Sequence, residues 1–236
     1  MQTPGYTTLT RMSGLAREMQ VIANNVANAG TTGFRAEGLI FSEYVRDLDG
    51  ESLSMAAARV PQTRHVQGEL SGTGGVFDLA IEGDGFFLVE TATGPRLTRA
   101  GAFTTGADGT LQTMDGLPVL DIGEAPVVLP PGLGDVAIAQ DGTLSSGGEP
   151  LGRLAVVAPP DPLFLKREGA LLFEAPGGYE PVLEPRVRQG FLEQSNVDPV
   201  AQISRMVEVQ RAYELGQSFL DAENDRVKSA VETLSR

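Results

Sequence analysis

Two long heptad-patterned segments, one at each end of the chain, limit its fold more than any other feature. In the first, Leu9, Met12, Ala16, Met19, Ala23 and Val26 follow a 3-4 spacing, and Leu15 and Ile22 widen the stripe on one side. That spacing keeps successive apolar side chains on one side of a helix, as a coiled-coil seam requires. In the second, Met206, Tyr213, Leu220, Val227 and Leu234 recur every seven residues, with Ile203, Gln210, Gln217, Asn224 and Val231 as a companion row. Gly30 is expected to close the first helix in the left-handed conformation. Asp198 and Pro199 are expected to open the second, because Asp caps free amides and Pro suits the first helical position. About 37 residues at 1.5 Å each predict a rod of roughly 55 Å. Gln210, Gln217 and Asn224 put polar groups into the seam, where they cost stability but specify register and partner number. The simpler alternative is a helix lying on a globular body with one wet edge. Seams kept for the termini predict packing against each other or against other copies, hence assembly rather than chemistry.

Between the helices the periodicity shortens. Residues 76–81 and 86–89 read as strands around Gly83-Asp84-Gly85, and residues 102–104 and 110–112 flank Asp108-Gly109. Residues 136–138 and 143–144 flank Asp141-Gly142, and further strands are expected at 117–120, 153–157, 171–174 and 180–183. Asp-Gly favours hairpin turns because both residues tolerate positive φ. The predicted fold is α+β: long N- and C-terminal helices forming a coiled-coil domain, with a central, mainly antiparallel all-β domain. The expected division is 1–34 for the first helix, 35–75 for an extended connector, 76–192 for the β domain and 193–236 for the second helix.

Charge and composition remove several classes of function. The net charge of −13 lies almost wholly in the middle: residues 1–38 hold three basic and two acidic side chains, and residues 196–236 hold five and seven. Without a basic stripe to neutralise phosphates, nucleic acid is not an expected partner. No apolar run approaches the ~20 residues that cross a bilayer, so membrane insertion is not expected. Residues 1–6 lack the basic, apolar and small-residue parts of a cleaved leader, so any export is expected to need none. The absence of Cys excludes disulfides and thiolate chemistry.

No active site, cofactor or small-molecule substrate is predicted. His65 is the only histidine and falls in a polar connector, where a solvated side chain is expected. The acids Asp78, Glu82, Asp84, Asp108, Asp115 and Asp141 raise the question of calcium, but none of these segments supplies the alternating ligands and closing Glu of an EF-hand. A calcium- or glycan-binding β domain on a coiled-coil stalk is the alternative from another class, supported only by those turns.

Three stretches resemble bacterial flagellar rod, hook and hook-associated proteins. The run from Ile22 to Arg35 carries Asn24, Asn25, Asn28, Gly33 and Phe34 in the order of that family's N-terminal signature. Gly83, Gly85, Phe86 and Phe87 are similar to the core of the rod and hook β domain. Ser195, Asn196, Arg211 and Tyr213 stand in the C-terminal signature, with Asp198 where relatives often have Asn. The resemblance implies a non-enzymatic structural subunit of the proximal rod, with a distal rod or hook subunit as the alternative. It further implies passage through the flagellar type III export apparatus and polymerisation with other rod subunits and copies of itself. The terminal helices would form an inner coiled coil, and the assembled shaft would serve motility from the periplasmic basal body.

Overall fold

The computed structural model describes residues 3–48, 51–130 and 135–234. The chain divides into two compact units, one of residues 1–27, 37–64 and 197–236, the other of residues 28–36 and 65–196.

The first unit contains the helices α1 (Thr3–Ala27) and α2 (Pro199–Leu234) and an antiparallel pair of strands, Glu37–Leu48 with Glu51–Thr63. This pair lies within the stretch expected to be an extended connector. Its ladder pairs the backbone groups that the two strands turn toward each other, which a lone extended segment would leave to water. The carboxylate of Asp198 accepts from the amides of Val200 (3.0 Å) and Ala201 (3.1 Å), so α2 starts at the expected cap. The end of α1 differs from expectation. The helix stops at Ala27, and the left-handed residue is Gly33 (φ 74°), not Gly30. Gly33 is forced there because a side chain would run into the backbone of Arg99 and Ala100.

The second unit is built on a six-stranded antiparallel sheet. Its order is Lys166–Glu168, Leu172–Glu174, Gly94–Thr98, Phe86–Thr91, Val156–Ala158 and Glu180–Pro181. The run Phe86-Phe87-Leu88-Val89 is apolar throughout because the strand is covered on both faces. Phe86 and Leu88 join Leu97, Leu120, Val157 and Phe173 in one core, while Phe87 and Val89 join Leu79, Phe103, Leu111 and Leu144 in another. Gly83-Asp84-Gly85 therefore does not close a hairpin. Leu79–Ile81 pairs with Val187–Gln189, so the turn hands the chain from one sheet to the next.

The Asp-Gly hairpins do form. Phe103–Thr105 pairs with Leu111–Thr113, and Val136–Ile138 pairs with Thr143–Ser146. The two turns repeat one design. Asp108 and Asp141 each accept from the amide two residues on (both 3.0 Å), and Gly109 and Gly142 take φ of 83° and 85°. The leucines that follow, Leu111 and Leu144, are fully buried. Both carboxylates are held below their ordinary pKa by these turn hydrogen bonds.

Candidate functional site

Within the first unit the helices run antiparallel. Asn25 Nδ2 lies 3.2 Å from Gln202 Oε1, Arg205 Nε lies 2.7 Å from Glu18 Oε1, and Gly216 faces Met12. A Cβ at Gly216 would stand 3.0 Å from Met12 Cγ and 3.3 Å from its Sδ, so glycine allows the close approach.

On each helix one predicted row faces its partner and the companion row is displaced by one residue. On α2, Met206, Tyr213 and Leu220 are half-buried, as is the row Gln202, Gly216 and Glu223, in which Val209 is fully buried. Ile203, Gln210, Gln217, Asn224 and Val231 are all exposed. On α1, Met12, Met19 and Val26 are half-buried, and their companions are Thr8, Leu15 and the buried Ile22. Leu9 and Ala23 are exposed and Ala16 is half-buried. Both choices of companion satisfy 3-4 spacing. The one adopted sets the small Gly216 against Met12 and lets Gln202 reach Asn25. Val227 and Leu234 continue the inward row but are exposed, as is Val231.

A second constellation lies in the β unit, where residues distant in sequence meet around Glu193. This side chain is 1% exposed and receives Arg35 Nη2 at 2.7 Å and Arg99 Nη1 at 3.2 Å. Its Oε1 also accepts from Gly68 N–H at 3.1 Å, and its carbonyl accepts from Gly33 N–H at 2.8 Å. Arg99 donates further to the carbonyls of Ile81 (3.2 Å) and Gly83 (2.6 Å). Burial pulls the Arg99 pKa down to about 10, and it lowers that of Arg35, with Glu193 opposing both shifts. A buried carboxylate between two guanidiniums is costly to desolvate and costlier to leave half-paired.

Asn196 completes this clasp. Its Oδ1 accepts from Ala36 N–H at 2.6 Å and its Nδ2 donates to Val66 C=O at 2.7 Å. One amide thus holds three segments at the points where the chain enters or leaves the β unit. In the helical unit Asn25 works in the same way: its amide accepts from Glu37 N–H (2.9 Å) and donates to Glu37 C=O (2.8 Å). These asparagines serve as side-chain imitations of backbone pairing, which compensates for a poor helix propensity at Asn25.

The remaining motif residues surround these contacts. Phe34 is fully buried, with the Arg167 guanidinium 4.9 Å from its ring centre and 4.8 Å from that of Phe173. Gly83 N–H donates to Gln67 Oε1 at 3.0 Å, and Gly85 (φ 127°) packs where a side chain would press on Val156. Asn28 anchors the turn to Thr31 through its carbonyl (3.1 Å) and Oδ1 (3.2 Å). Asn24 and Ser195 are half-buried, Tyr213 lies on the inward row and Arg211 is exposed.

His65 departs from the sequence expectation. It is half-buried, its ring centre 6.4 Å from those of both Phe86 and Phe173, and its carbonyl accepts from Arg35 Nη1. The apolar face of the sheet covers it because Arg35 draws its backbone in. Residue-by-residue reading missed Arg35, Arg99, Gln67, Glu193 and Gln202 as contacts. Glu193 left one signal, a lone charge directly after Phe191-Leu192 in a strand. Among the described residues no group of acids, His or Cys is arranged to hold a metal ion, and no helix is long and apolar enough to cross a membrane.

A β unit with two closed cores and its own polar clasp, and a unit of terminal helices with partly uncovered seams, make up the described chain. Three family models match in chain order: "Flagella basal body rod protein" over residues 3–35, "Flagellar hook protein FlgE/F/G D1 domain" over 80–146 and "Flagellar basal body rod FlgEFG protein C-terminal" over 188–233. The chain is 39% identical to the flagellar basal-body rod protein FlgF of Caulobacter vibrioides, covering 98% of this chain and 97% of the relative. It is 35% identical to FlgF of Mesorhizobium japonicum over 99% of this chain and 98% of the relative. It is 32% identical to the rod protein FlgG of Agrobacterium fabrum over 89% and 91%. The chain belongs to the flagellar basal-body rod protein family, in its FlgF branch, and is a structural rod subunit of the basal body.

Proposed function

We propose that the chain polymerises with other rod subunits and with copies of itself into the proximal part of the rod, a shaft that transmits torque for motility. In this reading the terminal segments, 1–34 and 193–236, form an inner coiled-coil domain, the β domain of 76–192 lies outside, and 35–75 connects them. The observation that carries it is the distribution of apolar surface. α2 presents Ile203, Val207, Leu215, Phe219, Val227, Val231 and Leu234 to solvent within 36 residues, whereas the β unit closes two cores and scatters its exposed apolar side chains, such as Ile122, Phe164 and Leu183, over a much longer stretch of chain. The exposed row Ile203, Gln210, Gln217, Asn224 and Val231 then meets neighbouring subunits, its polar members specifying register. Leu9, Ala16 and Ala23 of α1 are assigned to the same contacts. The subunit reaches the periplasm through the flagellar type III export apparatus, and it binds neither cofactor nor substrate.

Removing residues 199–236 tests this. The truncated chain is expected to remain soluble and to be missing from purified basal bodies, with loss of swimming. Normal motility in that strain would overturn the reading.

A further inference from the structure

Two exposed apolar side chains of the β unit, Phe164 (70%) and Ile122 (59%), are distant in sequence but stand at grooves along one loop, residues 175–181. Residues 175–178 wall a groove of about 190 Å³ together with Pro159, Phe164 and Leu165. Tyr179 and Pro181 wall a second, of about 110 Å³, together with Leu88, Ile122 and Val157. Leu88 and Val157 belong to one of the two cores, and Leu165, Ala175 and Tyr179 pack against it, so both grooves open beside the same core.

The walls are fixed by local chemistry. Pro159 and Pro160 follow the strand Val156–Ala158, and Asp161 accepts from Leu163 N–H at 2.9 Å to cap the single turn Pro162–Phe164. Across the second groove, Asp121 Oδ1 accepts from the amides of Gly123 (2.8 Å) and Ala125 (2.9 Å). Between them Glu124 has φ 61°, the one non-glycine with positive φ among the described residues. That conformation is sparsely populated and persists only where the surroundings impose it, a strain that gathers at functional sites. Glu124 Oε1 accepts from the Tyr179 hydroxyl at 2.7 Å, which ties the carboxylate to the loop between the grooves.

Charge and edge geometry select the occupant. The lining includes the acids Asp121, Glu124 and Asp161 and no basic side chain. The β unit as a whole holds eighteen acidic and eight basic residues, so the β unit of a second copy would bring like charge. The adjoining edge strand is only Glu180–Pro181, and proline has no N–H with which to recruit an added strand. This face therefore suits side chains rather than a strand.

We propose that the face docks a segment of another protein that sets apolar side chains into the two grooves and a lysine or arginine beside Glu124. A carboxylate that accepts from one phenol retains lone pairs for a second donor, and a charged donor makes the stronger bond. The prolines and the tied turn leave little to order on binding, which lowers its entropic cost. Both grooves lie within the β unit, so the contact is independent of how the terminal helices assemble.

Cells whose only copy carries the photo-crosslinking residue p-benzoylphenylalanine in place of Phe164 or of Ile122 provide the test. Met114, 74% exposed and lining neither groove, is the control position. Irradiation is expected to link both groove positions to one and the same protein, through a peptide with Lys or Arg close to its apolar contact. The control is expected not to link to it. Glu124→Gln keeps an acceptor for Tyr179 but removes the charge, and should cut the yield about tenfold. Links to a second copy of this chain, a linked peptide without a basic residue, equal yield at Met114 or undiminished yield in Glu124→Gln each overturn the proposal. So does a folded chain that links to nothing. If one replacement prevents folding, the other position makes the same measurement. The rod assignment is read separately, from the presence of the unaltered chain in purified basal bodies, so the two can fail independently.

Discussion

The β unit and α2 solve the problem of apolar surface in opposite ways. Around the strand Phe86–Thr91, four consecutive apolar side chains are buried by alternating between two cores. Along the 36 residues of α2, Val209 alone is buried. The β unit draws its stability from its own interior, while α2 has one covered stripe and an apolar remainder facing water. A sheet covered on both faces finishes its packing within the chain. A long helix has a circumference that one antiparallel neighbour cannot cover, and the uncovered part is where association adds stability.

Four measurements would break or sharpen this contrast. The largest effect is expected at Glu193→Ala, which strands Arg35 and Arg99 as uncompensated buried charges; removing one partner of such a pair costs about 3–5 kcal/mol. Urea unfolding of the β unit should register it, and a loss below about 1 kcal/mol would mean that the clasp is no more than a surface ion pair. Asn196→Ala is next. It leaves Ala36 N–H and Val66 C=O without their partner and should cost about 1–3 kcal/mol, with faster amide exchange at Ala36 as the local sign.

The third measurement applies one substitution at two places on the same helix. Val209→Ala removes two buried methyl groups and should cost about 1–2 kcal/mol. Val227→Ala, on the same side of α2 but exposed, should change the stability of the isolated chain by no more than about 0.5 kcal/mol. Equal costs at both sites would dissolve the contrast.

The smallest effect is a pH dependence confined to the β unit. Burial, then the charge of Arg35, lowers the pKa of His65 below its ordinary 6.5, with Arg167 and Arg99 adding to the shift and a hydrogen bond to the Pro162 carbonyl opposing it. The folded state therefore binds fewer protons than the unfolded state in the window between the two values. Stability from this group is complete above about 6.5 and declines as pH falls from there through the lowered folded value. His65→Gln should flatten the fall in thermal midpoint between about pH 7 and pH 5. As the only histidine, its ring protons also give an unobstructed NMR titration. A midpoint at or above 6.5 would place the ring in solvent after all.

Much of this architecture was legible because it depends on local chemistry. The cap at Asp198 and the two Asp-Gly hairpins arise from residues within a few positions of one another. The features that escaped depend on partners far away in sequence. Gly83-Asp84-Gly85 reads as a hairpin turn because strands flank it, but its neighbours are Gln67 and Arg99. His65 reads as solvated because its sequence neighbours are polar, but the rings beside it belong to Phe86 and Phe173.

The heptad rows show the division best. By itself the sequence determines that both ends are helices with seams, since the 3-4 spacing and the Asp-Pro start are properties of consecutive residues. It also determines that Met12, Met19, Met206 and Tyr213 belong to those seams. It does not determine which companion row faces inward. Rotating α2 by one residue exchanges the partly polar row of Ile203 and Gln210 for the equally mixed row of Gln202 and Val209. Only the tertiary structure decides between them, because the choice depends on Gly216 meeting Met12 and Gln202 meeting Asn25 across 177 residues of chain.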